Sequence, residues 1–394
     1  MPLLILMGML SGMAWPVLAD ETADFLRRHW AQPIAPQGRA PQSFSALEAS
    51  LEPAACGTCH RRQWLDWQTS LHAHAVGPGL MGQLVDVPYT DVPALRDCTR
   101  CHAPLAEQEA DLIQQLRGQK NHAALHQQGL VCAACHVRQH VRYGPPPPKP
   151  APVGKPSGPH NGFVSAPAFE DGRFCATCHQ FGADGYALNG KPLENTYAEW
   201  LASPYARQGK QCQSCHMPGR RHLWRGIHDA EMTRQGVTIE PVPPALRDGR
   251  VSAQLALTNR GTGHHFPTYV TPRVRMQIYQ AAVDGTPLAG TLRELIIARQ
   301  VTADLSAELS DTRLAPDAQA VLAYRIARHA AASEVVMRVR VEPDYFYSGL
   351  YRALLRSAPD GEGRALLQTA LEHSLQSVYD LELLHYPLPT PTAQ

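Results

Sequence analysis

Cys56-Gly-Thr-Cys59-His60-Arg-Arg-Gln-Trp64-Leu-Asp-Trp67-Gln-Thr-Ser70-Leu-His72-Ala-His74 opens with a pattern that the chain uses five times. Cys98-Thr-Arg-Cys101-His102, Cys132-Ala-Ala-Cys135-His136, Cys175-Ala-Thr-Cys178-His179 and Cys212-Gln-Ser-Cys215-His216 repeat it, and together they consume all ten cysteines. Disulfide and zinc pairs make no demand on the residue after the second Cys. His is 19 of 394 residues, so five chance His at that place have odds of roughly 3 in 10 million, and covalent attachment of c-type haem is the reading that accounts for the pattern. Zinc knuckles are set aside on the same ground. Two thiols form thioethers with the vinyl groups of one haem, and the next residue, His, ligates the iron. The sequence therefore predicts five haem c groups, with His60, His102, His136, His179 and His216 as their first axial ligands.

Outward from the motifs, the remaining composition sets bounds. A length of 394 residues suggests two domains or three. A net charge of +1 argues against a nucleic-acid binder. Hydrophobic content of 44% excludes a disordered chain. Residues 1–19 read as a signal peptide: the run Leu3 to Ala19 is apolar, short for a membrane span, and ends with Val17 and Ala19 before Asp20. An uncleaved N-terminal anchor is the other reading. Both export the rest of the chain, which predicts a periplasmic location, with membrane contact only by association or through that anchor.

Each iron needs a sixth ligand, and 14 other His are on offer. Bis-His ligation closes the metal to substrate and gives a low-potential electron carrier. Three contexts single out candidates: His72 in the quoted stretch; His222 and His228 in His216-Met-Pro-Gly-Arg-Arg-His222-Leu-Trp-Arg-Gly-Ile-His228; and His264 in Gly261-Thr-Gly263-His264-His265-Phe-Pro267. His160 follows a run that begins Pro145-Pro146-Pro147-Pro148 and has polyproline character. That run is either a linker or a stiff arm carrying His160 to a haem. His264 is either a turn residue bonded to backbone or a ligand offered by a second domain.

These residues resemble the multihaem c-type cytochromes related to the tetrahaem cytochrome c and hydroxylamine oxidoreductase of ammonia-oxidising bacteria. The likeness covers about Leu51 to Asp229 and, more weakly, the Gly263-His264-His265-Phe266-Pro267 loop. It implies that His72 ligates another haem, with Trp67 and Ser70 as its supports. His102-Ala-Pro104-Leu105 and Gly129-Leu-Val-Cys132 also carry it. One departure stands out. Trp200-Leu-Ala-Ser203-Pro-Tyr205 repeats the Trp-x-x-Ser-x-His pattern with Tyr in place of His, so one haem needs a ligand from elsewhere. No Cys-x-x-Cys-Lys motif occurs, which weakens a likeness to ammonia-forming nitrite reductases.

Residues 20–235 are expected to form a loop-rich, mostly helical pentahaem domain, with short helices around Arg62 to Trp67 and Glu107 to Arg117. So little side-chain core is on offer there that the porphyrins must supply apolar surface, and the apo-domain is expected to be largely unfolded. Only five of the 36 basic residues are Lys. Arg suits haem propionates as a bidentate partner, and codon bias is the plain alternative. From residue 236 the cysteines vanish. Alternating runs at Val251–Leu257, Val274–Ile278 and Val335–Val341, with further candidates at Leu292–Val301, Val321–Ile326 and Val378–Tyr386, predict an immunoglobulin-like antiparallel β-sandwich. A Leu stripe from Leu366 to Leu375 marks one of one or two C-terminal helices. The fold class is thus α+β.

The function these features predict is electron transfer through closely packed, mostly bis-His haems. The partners expected are a quinol-linked donor and a terminal reductase or second cytochrome. The alternative is an oxidoreductase acting on a small nitrogen or sulfur compound at one five-coordinate haem. Tyr205, Arg207, Lys210, Arg220 and Arg221 are the place to look for its cationic pocket. They could equally contact propionates.

Overall fold

The computed structural model describes residues 20–119, 124–147 and 158–389. The expected signal peptide and most of the proline-rich run lie outside these residues. No helix among them is long and apolar enough to cross a membrane.

The motif-bearing part is built of short helices. α1 (Arg61–Gln68) follows the first motif and buries Trp67. α2 (Pro78–Leu84) starts on a proline, whose missing N–H costs nothing at a helix's first turn. α3 (Val92–His102) begins where the Asp91 carboxylate accepts from the Ala94 N–H, and it ends on the second motif. α4 (Ala106–Leu116) continues from it. The helices expected at Arg62 to Trp67 and Glu107 to Arg117 are therefore present. Their packing is thin: one cluster gathers eight buried apolar residues around Trp30, Leu105 and Val131, and a second gathers six around Leu84, Leu95 and Leu112.

At Val237 the chain turns to strands. β1 (Val237–Arg247), β2 (Arg250–Asn259) and β5 (Gln319–Ala327) form one sheet in the order β5-β2-β1. β3 (Arg273–Ala281), β4 (Arg293–Ile297), β6 (Glu334–Glu342) and β7 (Tyr379–Pro387) form the other in the order β7-β6-β3-β4. All these pairings are antiparallel, and alternate residues of the two sheets meet in a core of 19 buried side chains. This is the two-sheet arrangement that immunoglobulin-like sandwiches share.

Two details differ from the sequence reading. β1 was hidden by Pro241, Pro243 and Pro244. It lies at a sheet edge with its register broken between Val242 and Ala245, where missing N–H groups are tolerated. The expected strand Leu292–Val301 divides at Ala298, whose N–H is taken by the Thr312 hydroxyl at 3.1 Å. Its second half pairs with Glu308–Asp311 in a separate ribbon.

α5 (Tyr345–Leu355) and α6 (Glu362–Gln376) fold back onto the motif-bearing part. Gly82 of α2 is needed there, because a Cβ would sit 2.9 Å from Leu367 Cγ of α6. Arg299, 1% exposed, fastens the two parts at another point. It donates to Glu308 at 2.8 Å and to the Pro192, Leu188 and Lys191 carbonyls of the hairpin 187–192 at 2.6, 3.1 and 2.9 Å.

Candidate haem centres

The motif histidines sit at the ends of short helical turns. Four of them have Nδ1 fixed. His102 Nδ1 bonds the Ala75 carbonyl at 2.7 Å, His136 the Tyr143 carbonyl at 2.8 Å and His216 the Arg225 carbonyl at 2.7 Å. His179 Nδ1 bonds the Tyr269 hydroxyl at 2.5 Å. A bond at Nδ1 sets the tautomer and leaves Nε2 as the ligating atom.

Three of the predicted distal histidines stand opposite motif histidines. Ring centroids are 6.3 Å apart for His72 and His179, 6.1 Å for His136 and His222, and 6.4 Å for His216 and His264. Two imidazoles on opposite faces of one metal ion, each bonded at about 2 Å, hold their centroids about 6.3 Å apart. The residues present therefore fit an iron between each pair. His222 and His264 also have Nδ1 committed, to the Arg220 carbonyl at 3.1 Å and the His265 carbonyl at 2.8 Å. His72 is held differently. Its Nδ1 is buried without a partner, and its ring meets the edge of Trp224 at 4.8 Å.

Burial, with neighbouring imidazoles second, pushes His72 down to about 3 and His179 to about 4. Burial is also the first cause for His136, which falls to about 4, and for His216, His222 and His264, which shift down. All six are neutral at physiological pH, so each keeps the lone pair that a metal needs.

A repeated device places these groups. Trp67 Nε1 donates to the Leu130 carbonyl at 2.8 Å, two residues before Cys132. Trp200 Nε1 donates to the Lys210 carbonyl at 2.9 Å, two residues before Cys212. Ser70 and Ser203 each close the turn that follows, accepting from Ala73 and from Tyr205 and Ala206. The first copy carries His72. The second carries Tyr205, whose hydroxyl donates to the Arg260 carbonyl at 2.6 Å. Gly263 packs on Trp200 and Tyr205, and a Cβ at Gly263 would sit 3.1 Å from Trp200 Cδ1. The loop from the sandwich thus rests on the Tyr and brings His264 to the face where the repeat has no His.

His160 takes a third kind of place. Its N–H donates to Glu48 at 2.7 Å and its Nδ1 bonds the Gly162 carbonyl at 2.8 Å. Arg142, which donates to the Glu48 carbonyl, also lies in the field of Cys56. These bonds tie His160 to Glu48, in the segment that precedes the first motif, without a ring contact to His60. His228 Nε2 pairs with Asp344 at 3.0 Å at the start of α5, and among the described residues no ring contact joins it to a motif histidine.

The cationic pocket suggested near Tyr205 is also not assembled. Arg221 is bound by both oxygens of Asp66, Arg220 by Glu170 and the Pro146 carbonyl, and Arg207 by the Ala202 carbonyl. Lys210 lies over the Tyr205 ring. Asp66 also accepts the His222 N–H at 3.1 Å, so the Asp66–Arg221 pair positions a distal histidine. Sequence reasoning missed Asp66, Trp224 and Tyr269. Trp224 touches both His72 and His222, at 4.8 and 4.9 Å. None of the three is marked by spacing from a motif.

The attachment cysteines meet in pairs. Cys56 lies beside Cys132, Cys101 beside Cys178, and Cys175 beside Cys212. Before attachment the neighbouring thiol pulls Cys56 and Cys101 down to about 7 and, with burial, pushes Cys132 and Cys178 up. Cys135 lies in the field of Cys175 and Cys178, which joins the third motif to the fourth. Cys59 and Cys215 are exposed, and the other eight are part-buried.

Residues 55–137, which span the first three motifs, match the family described as cytochrome c554 and c-prime. The chain is similar in fold to a penta-heme cytochrome c552 from Thermochromatium tepidum, with a TM-score of 0.59 and 16% sequence identity over 87% of this chain and 100% of that one. No curated protein matches. With the five motifs, these likenesses support a multihaem c-type cytochrome carrying covalently bound haem c.

Proposed function

We propose that this chain is an exported, periplasmic pentahaem cytochrome c that carries electrons between a quinol-linked donor and a reductase or second cytochrome. We place it with the relatives of the tetrahaem cytochrome c and hydroxylamine oxidoreductase of ammonia-oxidising bacteria. The observation that carries the reading is the set of three imidazole pairs spaced at 6.1–6.4 Å. Haem c bound at the five motifs supplies reversible one-electron chemistry. His72, His222 and His264 close the open coordination positions at the fourth, third and fifth motifs. His160 is the ligand we assign to the first. From the nearness of their cysteines we order the attachment sites as first, third, fourth and fifth, with the second beside the fourth. The exposed Cys59 and Cys215 set the two ends of that series at the surface, where partner proteins can dock.

A second reading has one observation in its favour. Among the described residues no imidazole ring faces His60 or His102 as rings face the other three motif histidines, and we assign a distal ligand only to His60. A five-coordinate iron at the second motif could act on a small nitrogen or sulfur compound. Electron paramagnetic resonance of the oxidised protein decides between the two. Low-spin ferric signals alone support the carrier, whereas a high-spin signal that responds to nitrite, sulfite or cyanide supports the enzyme. Mass spectrometry of the mature protein counts the haems, and a mass equal to the bare polypeptide would refute both.

A further inference from the structure

We infer that Tyr269, a residue of the sandwich domain, sets the reduction potential of the iron held by His179. The inference rests on the haem assignment above. The other described Nδ1 bonds among the assigned ligands (His102, His136, His216, His222, His264 and His160) all go to peptide carbonyls. His179 alone is bonded by a side chain, and that side chain comes from the other domain. The two ring planes lie 22° from parallel with centroids 6.1 Å apart, and the hydroxyl stands 2.5 Å from Nδ1.

The backbone is bent to make this contact. Tyr269 holds a φ of +65°, a left-handed conformation that bulky residues rarely adopt. Its neighbour Thr268 bonds Thr196 at 2.6 Å, which ties the same loop to the motif-bearing part. Thr196 also hydrogen-bonds the Tyr269 side chain.

The physical effect follows from acceptor strength. An axial imidazole that donates its Nδ1 proton to a strong acceptor gains imidazolate character and stabilises ferric iron, which lowers the potential. A phenol oxygen is a weaker acceptor than a peptide carbonyl. His179 therefore binds its metal as a poorer donor than His102, His136 or His216, and its site lies higher in potential than a carbonyl-bonded site of equal burial. This site also adjoins the second, third and fifth motifs through its cysteines. A raised potential there makes it the place where an electron rests, and the docked sandwich domain controls it.

The test is a spectroelectrochemical titration of wild-type protein and Tyr269→Phe, each first shown by mass to carry five haems. Losing the acceptor should move one of the five steps to higher potential and leave four in place. If Tyr269→Phe folds poorly, 4-methylphenylalanine at position 269 keeps the ring's shape and still removes the acceptor. Five unmoved steps would overturn the inference, as would a common shift of all five, which loosened docking produces. A wild-type protein without haem would refute the underlying assignment instead.

Discussion

Replacing His264 by Ala isolates one coordination position. The side chain lost is the imidazole whose centroid lies 6.4 Å from that of His216. The backbone that delivers it is anchored independently: the His264 carbonyl accepts from Asn259 Nδ2 at 2.9 Å and from the Thr262 hydroxyl at 2.8 Å. Those bonds survive truncation at Cβ, so the loop stays on Trp200 and Tyr205 and the damage is local. One iron in five then loses an axial nitrogen. High-spin ferric signal should rise to one spin per molecule, a fifth of the total iron, and the site should bind cyanide. The adjacent His265→Ala is the control. His265 Nδ1 stands 3.4 Å from Glu199, and no motif-histidine ring contact is described for it. Its removal should leave the spin count unchanged. The reasoning is refuted if His264→Ala remains wholly low-spin, or if His265→Ala is the variant that turns high-spin.

Three other expectations can be checked with the same material. His72→Ala should likewise turn one haem high-spin, and it should add to His264→Ala to give two spins per molecule, since the two face different motifs; an unchanged spectrum removes His72 from the ligand set. Arg299→Leu leaves Glu308 with Lys191 and Asn189 but strips the donor from the Pro192, Leu188 and Lys191 carbonyls, so unfolding by denaturant should lose about 1–3 kcal/mol, and no measurable loss would show that the hairpin 187–192 does not fasten the two parts. His29, buried and bonded to the Cys135 carbonyl at 2.8 Å, is pushed down to about 3, first by burial and then by Arg138. The unfolded state therefore takes up its proton first, so stability is level above about pH 6.5 and falls as pH drops toward 3; at pH 5 the loss is about 2 kcal/mol, and His29→Gln should flatten that slope.

The sequence alone determined what depends on covalent chemistry and on local period. Attachment of haem needs two thiols and a His at fixed spacing, so the five motifs are legible without any fold. Strands such as Val335–Val341 and the Leu366–Leu375 helix are legible because one face is apolar at the period of the element. His72 was singled out by the family resemblance, whose marks Trp67 and Ser70 lie within five residues of it. The tertiary structure decided which imidazole faces which motif. That is set by contacts over long stretches of chain, such as His222 held by Asp66 and His264 carried on a loop resting on Tyr205. It also decided that His228 turns to Asp344, that Arg220 and Arg221 are neutralised by carboxylates, and that Tyr269 reaches His179 from another domain. Coordination and hydrogen bonding act between atoms a few ångströms apart, and only folding brings residues separated by 48 to 156 positions to that distance.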